Sequence, residues 1–189
     1  MLINREIDSS EILVRFIFED HFIKKNVTPN RIDKREVFMD NRLVGVSMQR
    51  HKYVTSDNEC KERGKSIRNK KFVGFVVFLK DDFLKACNEF VKIREQFEAE
   101  IRFTPLDENL EIRKDIDSIY ITDPGNPSHC DMNYINPAIE NDEPNPKTAL
   151  RAFSQQLYAK SCLILDPNPD SEELELDGGI TLQFENCRS

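Results

Sequence analysis

The clearest strand and helix signals of the chain lie in KFVGFVVFL, residues 71–79, and DDFLKACNEFVKIREQF, residues 81–97. The first segment is dense in β-branched and aromatic residues, which predicts the strongest strand of the chain. Gly74 in its middle predicts a bulge or the close approach of another backbone. The second segment predicts an amphipathic helix that packs on this strand, because apolar residues recur at helical spacing. Its buried stripe is predicted to contain Phe83, Cys87, Phe90 and Phe97.

Further strands are predicted on both sides of this unit. Residues 11–18 (EILVRFIF) carry apolar side chains at alternating positions of both faces, which predicts a central strand that Arg15 interrupts. Residues 43–49 and 116–121 predict two more strands, and residues 130–135 predict a short one after a turn.

A second helix is predicted to begin at Asn145 and Pro146, because proline at the first helical position lacks only an amide that has no helical partner. Its buried stripe is predicted to contain Ala149, Phe153 and Leu157. Four to five strands and two main helices, without strict alternation, predict an α+β class: a single domain over residues 1–165 with a largely antiparallel or mixed sheet. Residues 166–189 are acidic and rich in proline and glycine, which predicts a tail or edge segment in which residues 180–184 return as a strand.

The composition limits the classes of function. The chain has 189 residues and a net charge of −7, which argues against a general binder of polyanions. Its first residues lack the apolar core of a signal peptide, and no window resembles a membrane span, so we expect a cytoplasmic protein. Five cysteines without a CxxC pair predict reduced thiols and no metal site. No cofactor is predicted, since the sequence has neither a GxGxxG motif nor a complete phosphate-binding loop around Gly64.

The charges are segregated along the chain. Residues 50–71 contain eight Lys or Arg and three acidic residues, whereas residues 140–189 contain ten acidic residues and four Lys or Arg. The basic segment is nearly free of large apolar residues and predicts a mobile or protruding loop. It is either an ordinary solvated loop or a surface that binds phosphates or an acidic partner. The candidate binding residues are Lys61, Arg63, Lys65, Arg68, Lys70 and Lys71.

Three residues form the candidate catalytic group: Arg15, Arg50 and His129. Arg15 lies in an apolar strand and needs a carboxylate, a carbonyl or a ligand anion; Asp117 is the predicted structural partner. His129 follows a proline-rich turn, and histidine changes its charge near neutral pH. Because all three lie in or beside predicted strands, they could converge at one rim of the sheet and bind a phosphate-bearing substrate. The simpler interpretation pairs Arg15 with a carboxylate and exposes His129 to solvent.

No catalytic motif of high specificity is present, which favours a non-enzymatic accessory subunit that binds a protein partner through its loops and its acidic C-terminal region. The Asn-, Lys- and Ile-rich composition suggests a bacterial multi-protein system, for example in anti-phage defence. One alternative is a small enzyme that acts on a nucleotide or RNA through Arg15, Arg50 and His129. The other is a nucleic-acid-binding module that uses the basic loop 50–71.

Overall fold

The computed structural model describes residues 1–39, 45–89, 98–135 and 147–189. These residues form an α+β fold with one antiparallel sheet and four α-helices. The strands are β1 (Ile12–Phe18), β2 (Val46–Arg50), β3 (Phe72–Leu79), β4 (Glu98–Phe103), β5 (His129–Ile135) and β6 (Cys162–Leu165). The helices are α1 (Asp57–Ser66), α2 (Lys80–Glu89), α3 (Lys147–Ala159) and α4 (Gly179–Arg188). The strand order is β4-β5-β2-β1-β3-β6, and every neighbouring pair is antiparallel.

Strands β1 and β3 form the centre of the sheet. Seven of the eight residues of β3 are buried, so this strand is covered on both faces. β1 lies between β2 and β3, which confirms the predicted central strand. Gly74 allows β6 to pair closely with β3, because a Cβ at this position would lie 2.3 Å from the carbonyl oxygen of Ile164. The predicted close backbone approach is therefore confirmed.

Helices α2 and α3 cover one face of the sheet. The rings of Phe83 and Phe153 meet edge to face with their centroids 6.1 Å apart, above the apolar side chains of β1, β2, β3 and β5. Burial of Phe153 and Leu157 confirms the main part of the stripe predicted for the second helix. The described part of the first helix is Lys80–Glu89. Four residues of the two predicted helices, Phe90, Phe97, Asn145 and Pro146, lie outside the described residues.

The opposite face is covered by helices over only part of its width. Apolar residues of β1, β3 and β6 pack there beneath α1 and α4, which contribute Cys60, Ile180 and Phe184. Beside them, β2 and β5 present a polar patch on the same face, because Val14 lies opposite Gln49 and Gln49 lies opposite His129. The polar patch consists of Ser47, Gln49, His129 and Asp131.

Two sequence predictions in the basic segment and at the C-terminus were wrong. Residues 57–66, predicted as part of a mobile loop, form α1, whose first turn is capped by the side chain of Ser56. Helix α1 has a weak apolar pattern because it buries Cys60, Lys61 and Gly64 rather than large apolar side chains. Residues 180–184, predicted as a strand, belong to α4. The boundary at residue 165 stays a prediction.

Two further errors concern the strands. Residues 116–121 form no strand; Tyr120 makes only an isolated bridge to Leu2, and Ile119 packs beside Ile3. Conversely, β4 was not predicted. Its sequence, EAEIRF, mixes charged and apolar residues in the same way as the end of the helix predicted over residues 81–97, so no boundary was recognised between them. Within the described residues, the sheet therefore has six strands rather than four to five, and there are four α-helices rather than two.

The cysteines also differ from expectation. Cys162 and Cys187 form a disulfide with their Cα atoms 5.8 Å apart, whereas Cys60, Cys87 and Cys130 are not disulfide-bonded. The expectation of five reduced thiols was therefore wrong for one pair. Within the described ranges, none of the helices has the length and apolar character needed to cross a membrane.

Candidate functional site

A cleft of about 560 Å³ opens above the polar patch. Its floor is formed by Phe16, Ser47, Gln49 and His129. One wall comes from the end of α1 and the turn that follows it, and consists of Arg63, Ser66, Ile67 and Arg68. The other wall comes from the long connection between β4 and β5, and consists of Leu106, Asn109, Leu110 and Asn126. The lining thus has two arginines and no carboxylate.

Arg63 links the two walls of the cleft. Its Nε donates to Oε1 of Glu59 at 3.0 Å, one helical turn earlier on α1. Its Nη1 donates to the carbonyl oxygen of Gly125 at 3.1 Å, across the cleft. The charge of Arg63 is therefore shared with a carboxylate beside the site.

Arg68 has different surroundings. It is exposed, lines the cleft, and makes no hydrogen bond or ion pair with any residue that the structure describes. A guanidinium offers a planar pair of N–H donors that matches a phosphate or a carboxylate. Arg68 is thus the side chain of the lining that is free to bind an anion.

The other basic candidates from the sequence lie away from the cleft lining. Lys61 is fully buried, with its Nζ 2.8 Å from Oδ2 of Asp166, and therefore has a structural role instead of the predicted partner-binding one. Lys65 donates to the carbonyl oxygen of Ser171 at 2.8 Å. Lys70 pairs with Asp20, and Lys71 lies 3.7 Å from Glu19. Of the six candidates, only Arg63 and Arg68 line the cleft.

His129 is held by a polar network at the floor of the cleft. Its Nδ1 lies 2.7 Å from the carbonyl oxygen of Thr104, which can only accept, so Nδ1 carries the proton. In the neutral ring, Nε2 is then the unprotonated nitrogen, 3.7 Å from Oδ1 of Asp131. The hydroxyl of Thr104 donates to Oδ2 of the same aspartate at 2.8 Å. Thr104 therefore orients both the imidazole and the carboxylate.

Burial determines the charge of this imidazole. Loss of hydration lowers the pKa of His129 below its usual value, and this is the largest cause of the shift. Asp131 opposes the shift by favouring the protonated ring, whereas the charges of Arg63 and Arg15 add to it. At neutral pH the cleft floor therefore presents a neutral histidine, which can accept a hydrogen bond at Nε2.

The predicted convergence of Arg15, Arg50 and His129 was wrong. Arg50 lies opposite Leu13, whose side chain belongs to the face beneath α2 and α3. Arg15 lies opposite Val76 on that same face. Because side chains alternate along a strand, both arginines point away from the face that carries His129.

Arg50 is a buried structural cation. Its guanidinium donates to both carboxylate oxygens of Glu11, at 2.8 and 2.9 Å, and also to the carbonyl oxygens of Asn4 and Glu6. It also contacts the ring of Tyr53, 4.5 Å from the ring centroid. These contacts attach the N-terminal segment to the end of β2.

Arg15 is not paired with Asp117, which forms an ion pair with Arg5 instead. The Nη1 of Arg15 donates to the carbonyl oxygen of Ser47 at 3.0 Å, and its Nε donates to that of Val37 at 3.4 Å. Backbone carbonyls thus fulfil part of the predicted need for acceptors.

The wall that the connection between β4 and β5 contributes to the cleft was not predicted from the sequence. The side chain of Asp107 accepts from the amides of Asn109 and Glu111 at 2.8 and 3.0 Å and forms a tight turn. In this turn Leu110 has a left-handed backbone, with φ of 64°, and is 70% exposed at the rim. A left-handed backbone costs a leucine roughly 1–3 kcal/mol of conformational energy. The turn residues 107–109 (DEN) were the available signal for this feature.

No group of three or more His, Cys, Asp or Glu side chains in the described ranges is arranged to hold a metal ion. Comparisons with protein-family models, with curated proteins and with solved structures find no match to this chain.

Proposed function

We propose that this protein binds a small phosphate-bearing molecule with an apolar or aromatic group, such as a nucleotide, in the cleft above the polar patch. The observation that carries this proposal is the composition of the lining. The chain has a net charge of −7, yet the cleft contains Arg63 and Arg68 and no carboxylate. Arg63 is paired with Glu59, and Asp131 lies beside His129. Arg68 therefore supplies the uncompensated positive charge among the described lining residues, and this charge favours an anionic ligand.

The two kinds of lining residue suit the two parts of such a ligand. Arg68 has free N–H donors for a phosphate, and Arg63 adds positive charge beside it. Phe16, Ile67 and Leu110 offer apolar surface to a ring, and the neutral amides of the floor and wall offer hydrogen bonds. A volume of about 560 Å³ lies within the range of small-molecule pockets, which is roughly 300–1,000 Å³.

The role of His129 in this proposal is to accept a hydrogen bond from the ligand at Nε2. The same atom is suited to accept a proton from a substrate hydroxyl, which is the chemistry of the small-enzyme hypothesis. Proton transfer by His129 stays a prediction. The composition of the lining supports ligand binding but gives no evidence for a reaction.

Calorimetric titration of the full chain tests the proposal. The probes are inorganic phosphate, adenosine and AMP, and we expect AMP to bind more tightly than either of its parts. Arg68→Ala should weaken AMP binding roughly tenfold to 100-fold, as expected for loss of a charge-assisted hydrogen bond. Lys71→Ala is the matched control, because it removes the same charge from an exposed site outside the cleft lining. Absence of binding by all three probes, or equal effects of the two variants, would contradict the proposal.

A specific observation also favours the accessory-subunit hypothesis as a second candidate function. Leu2 is 53% exposed and Tyr120 is 47% exposed, and the two form a β-bridge that makes their apolar side chains neighbours. Contiguous exposed apolar surface is typical of sites that bind another protein, and this pair would lie at the centre of such a surface. A partner that co-purifies with the wild type from its native cells should be lost in Tyr120→Glu and kept in Lys71→Ala. Retention of every co-purifying protein by Tyr120→Glu would contradict this second function.

A further inference from the structure

The C-terminal strap, which we define as residues 166–189, makes polar contacts along the whole length of α1. Near the start of α1, Asp57 accepts from the amide of Ile180 at 2.8 Å, and Asn58 accepts from that of Leu174 at 2.8 Å. In its middle, the buried Nζ of Lys61 donates to the carbonyl oxygens of Asn168 and Glu173 at 2.8 and 2.7 Å. In its last turn, Lys65 donates to two carbonyl oxygens of the strap, those of Asp170 and Ser171. The strap therefore contacts every turn of α1.

The disulfide closes this strap into a covalent loop. Cys162 lies in β6, just before the strap begins, and Cys187 lies in α4, close to its end, 25 residues later. Cys162 is buried in the apolar cluster under α4, whereas Cys187 is exposed. A reductant can therefore approach the bond from the side of Cys187.

Helix α1 connects the strap to the cleft. Arg63 belongs to α1, and Arg68 lies two residues beyond its end. Gly64 holds this end of the helix against Phe72, since a Cβ at Gly64 would lie 2.5 Å from the ring. The strap and the sheet thus set the position of both arginines from two sides.

We propose that the Cys162–Cys187 disulfide controls the position of α1, and through α1 the affinity of the cleft for its anionic ligand. The second part rests on the proposed function. The co-reactant is a dithiol reductant, whose thiolate attacks Sγ of Cys187 and forms a mixed disulfide. Cys162 leaves as a thiolate and takes up a proton. The second thiol of the reductant then attacks the mixed disulfide and releases Cys187 as a thiol, so two electrons and two protons pass to the protein and the reductant becomes a cyclic disulfide.

The test compares the oxidised protein with the protein reduced by dithiothreitol, at equal pH and salt. Alkylation of the denatured protein followed by mass spectrometry should count three thiols before reduction and five after it. Hydrogen exchange in residues 57–66 should then become faster, because the strap opens more often when its end is not covalently attached. The affinity for AMP should fall at least about fivefold, the lower end of typical coupling between sites.

Two variants separate the disulfide from other effects of the reductant. Cys187→Ser removes the bond at an exposed position and should give the exchange and affinity of the reduced protein even without dithiothreitol. Cys87→Ser is the matched control, because Cys87 lies outside the disulfide, which remains in this variant. This variant should respond to reduction like the wild type.

The outcomes distinguish this inference from the proposed function. Unchanged exchange of α1 after verified reduction overturns the inference, and so does unchanged AMP affinity when the oxidised protein binds AMP. Failure of the oxidised protein to bind any phosphate-bearing probe overturns the proposed function and with it the second part of the inference. The exchange of α1 still decides the first part in that case.

Discussion

The two halves of one sheet face have opposite characters. Under α1 and α4, Val14, Phe75 and Ile164 form a closed apolar half. Next to it, Gln49 and His129 belong to a polar half that is covered by a cleft rather than by a helix. Both halves belong to one antiparallel sheet with the same backbone pairing. The difference between a covered half and an open half therefore follows from the side chains that each half presents. Apolar side chains pack beneath the two helices, whereas the polar half is left uncovered as a cleft.

The largest expected effect comes from the apolar half. Phe75 is fully buried. The centroid of its ring lies 5.0 Å from the ring centroid of Phe72 and 6.3 Å from that of Phe16. Phe75→Ala should lower the free energy of unfolding by about 3–5 kcal/mol, because it removes a buried ring and leaves a cavity. Denaturant unfolding measures this loss. A loss below about 1 kcal/mol would mean that this half is not closely packed.

The disulfide at the edge of the apolar half should have the next largest effect on stability. Cys187→Ser opens a covalent loop of 25 residues, and such loops contribute about 3 kcal/mol in the chain-entropy model. Thermal unfolding without reductant should give a lower melting temperature than that of Cys87→Ser. Equal melting temperatures of the two variants would show that the strap is held by its other contacts alone.

A histidine beside the apolar half should make the stability depend on pH. Burial is the main cause that lowers the pKa of His21 to about 4, and the charge of Arg15 adds to it. The unfolded chain then binds more protons than the folded one between pH 6.5 and 4, so stability falls as the pH falls through this window. Between neutral pH and pH 4, His21 should lower the free energy of unfolding by about 3 kcal/mol.

His21→Asn is the variant that isolates this effect. The Nδ1 of His21 accepts from the amide of Phe18 at 3.0 Å, and the side-chain oxygen of asparagine can replace this acceptor. Urea unfolding at a series of pH values gives the free energy of unfolding as a function of pH. Below pH 6.5, this free energy should fall less steeply with falling pH in the variant than in the wild type. Identical slopes would indicate that His21 titrates normally in the folded protein.

The smallest effect on stability is expected in the polar half. Arg68→Ala should change the free energy of unfolding by less than about 0.5 kcal/mol, because Arg68 is exposed and has no partner among the described residues. The same variant should weaken AMP binding roughly tenfold or more. Stability loss and binding loss are thus expected in different halves of one face. A large loss of stability in Arg68→Ala would break this separation.

The central strands could be predicted from the sequence because their signal is local. Residues 71–79 and 11–18 are apolar at nearly every position, and this pattern survives whatever packs on them. Strand β4 could not be predicted in the same way, since it is a half-exposed edge strand with charged residues. Helix α1 was missed because Lys61 occupies a buried position, and its partner Asp166 is 105 residues away in the sequence.

The sequence singled out three residues that line the cleft, Arg63, Arg68 and His129, but not their arrangement. His129 and Arg68 were both candidates, and both line the cleft. Arg50 was grouped with His129 because it follows a predicted strand that ends at residue 49. In the structure β2 includes Arg50, and a shift of one residue along a strand exchanges the two faces. The register of β2 against β1 and β5 is set by distant contacts that the local sequence does not contain.

The most direct test of the central claim is a titration of the isotope-labelled full chain with AMP, followed by amide chemical shifts. We expect the shifts to concentrate on the cleft lining, including Ser47, Arg68, Leu110 and His129, and Arg68→Ala to remove them. Shifts concentrated around Lys70 and Lys71, or the absence of any shift at saturating AMP, would contradict it.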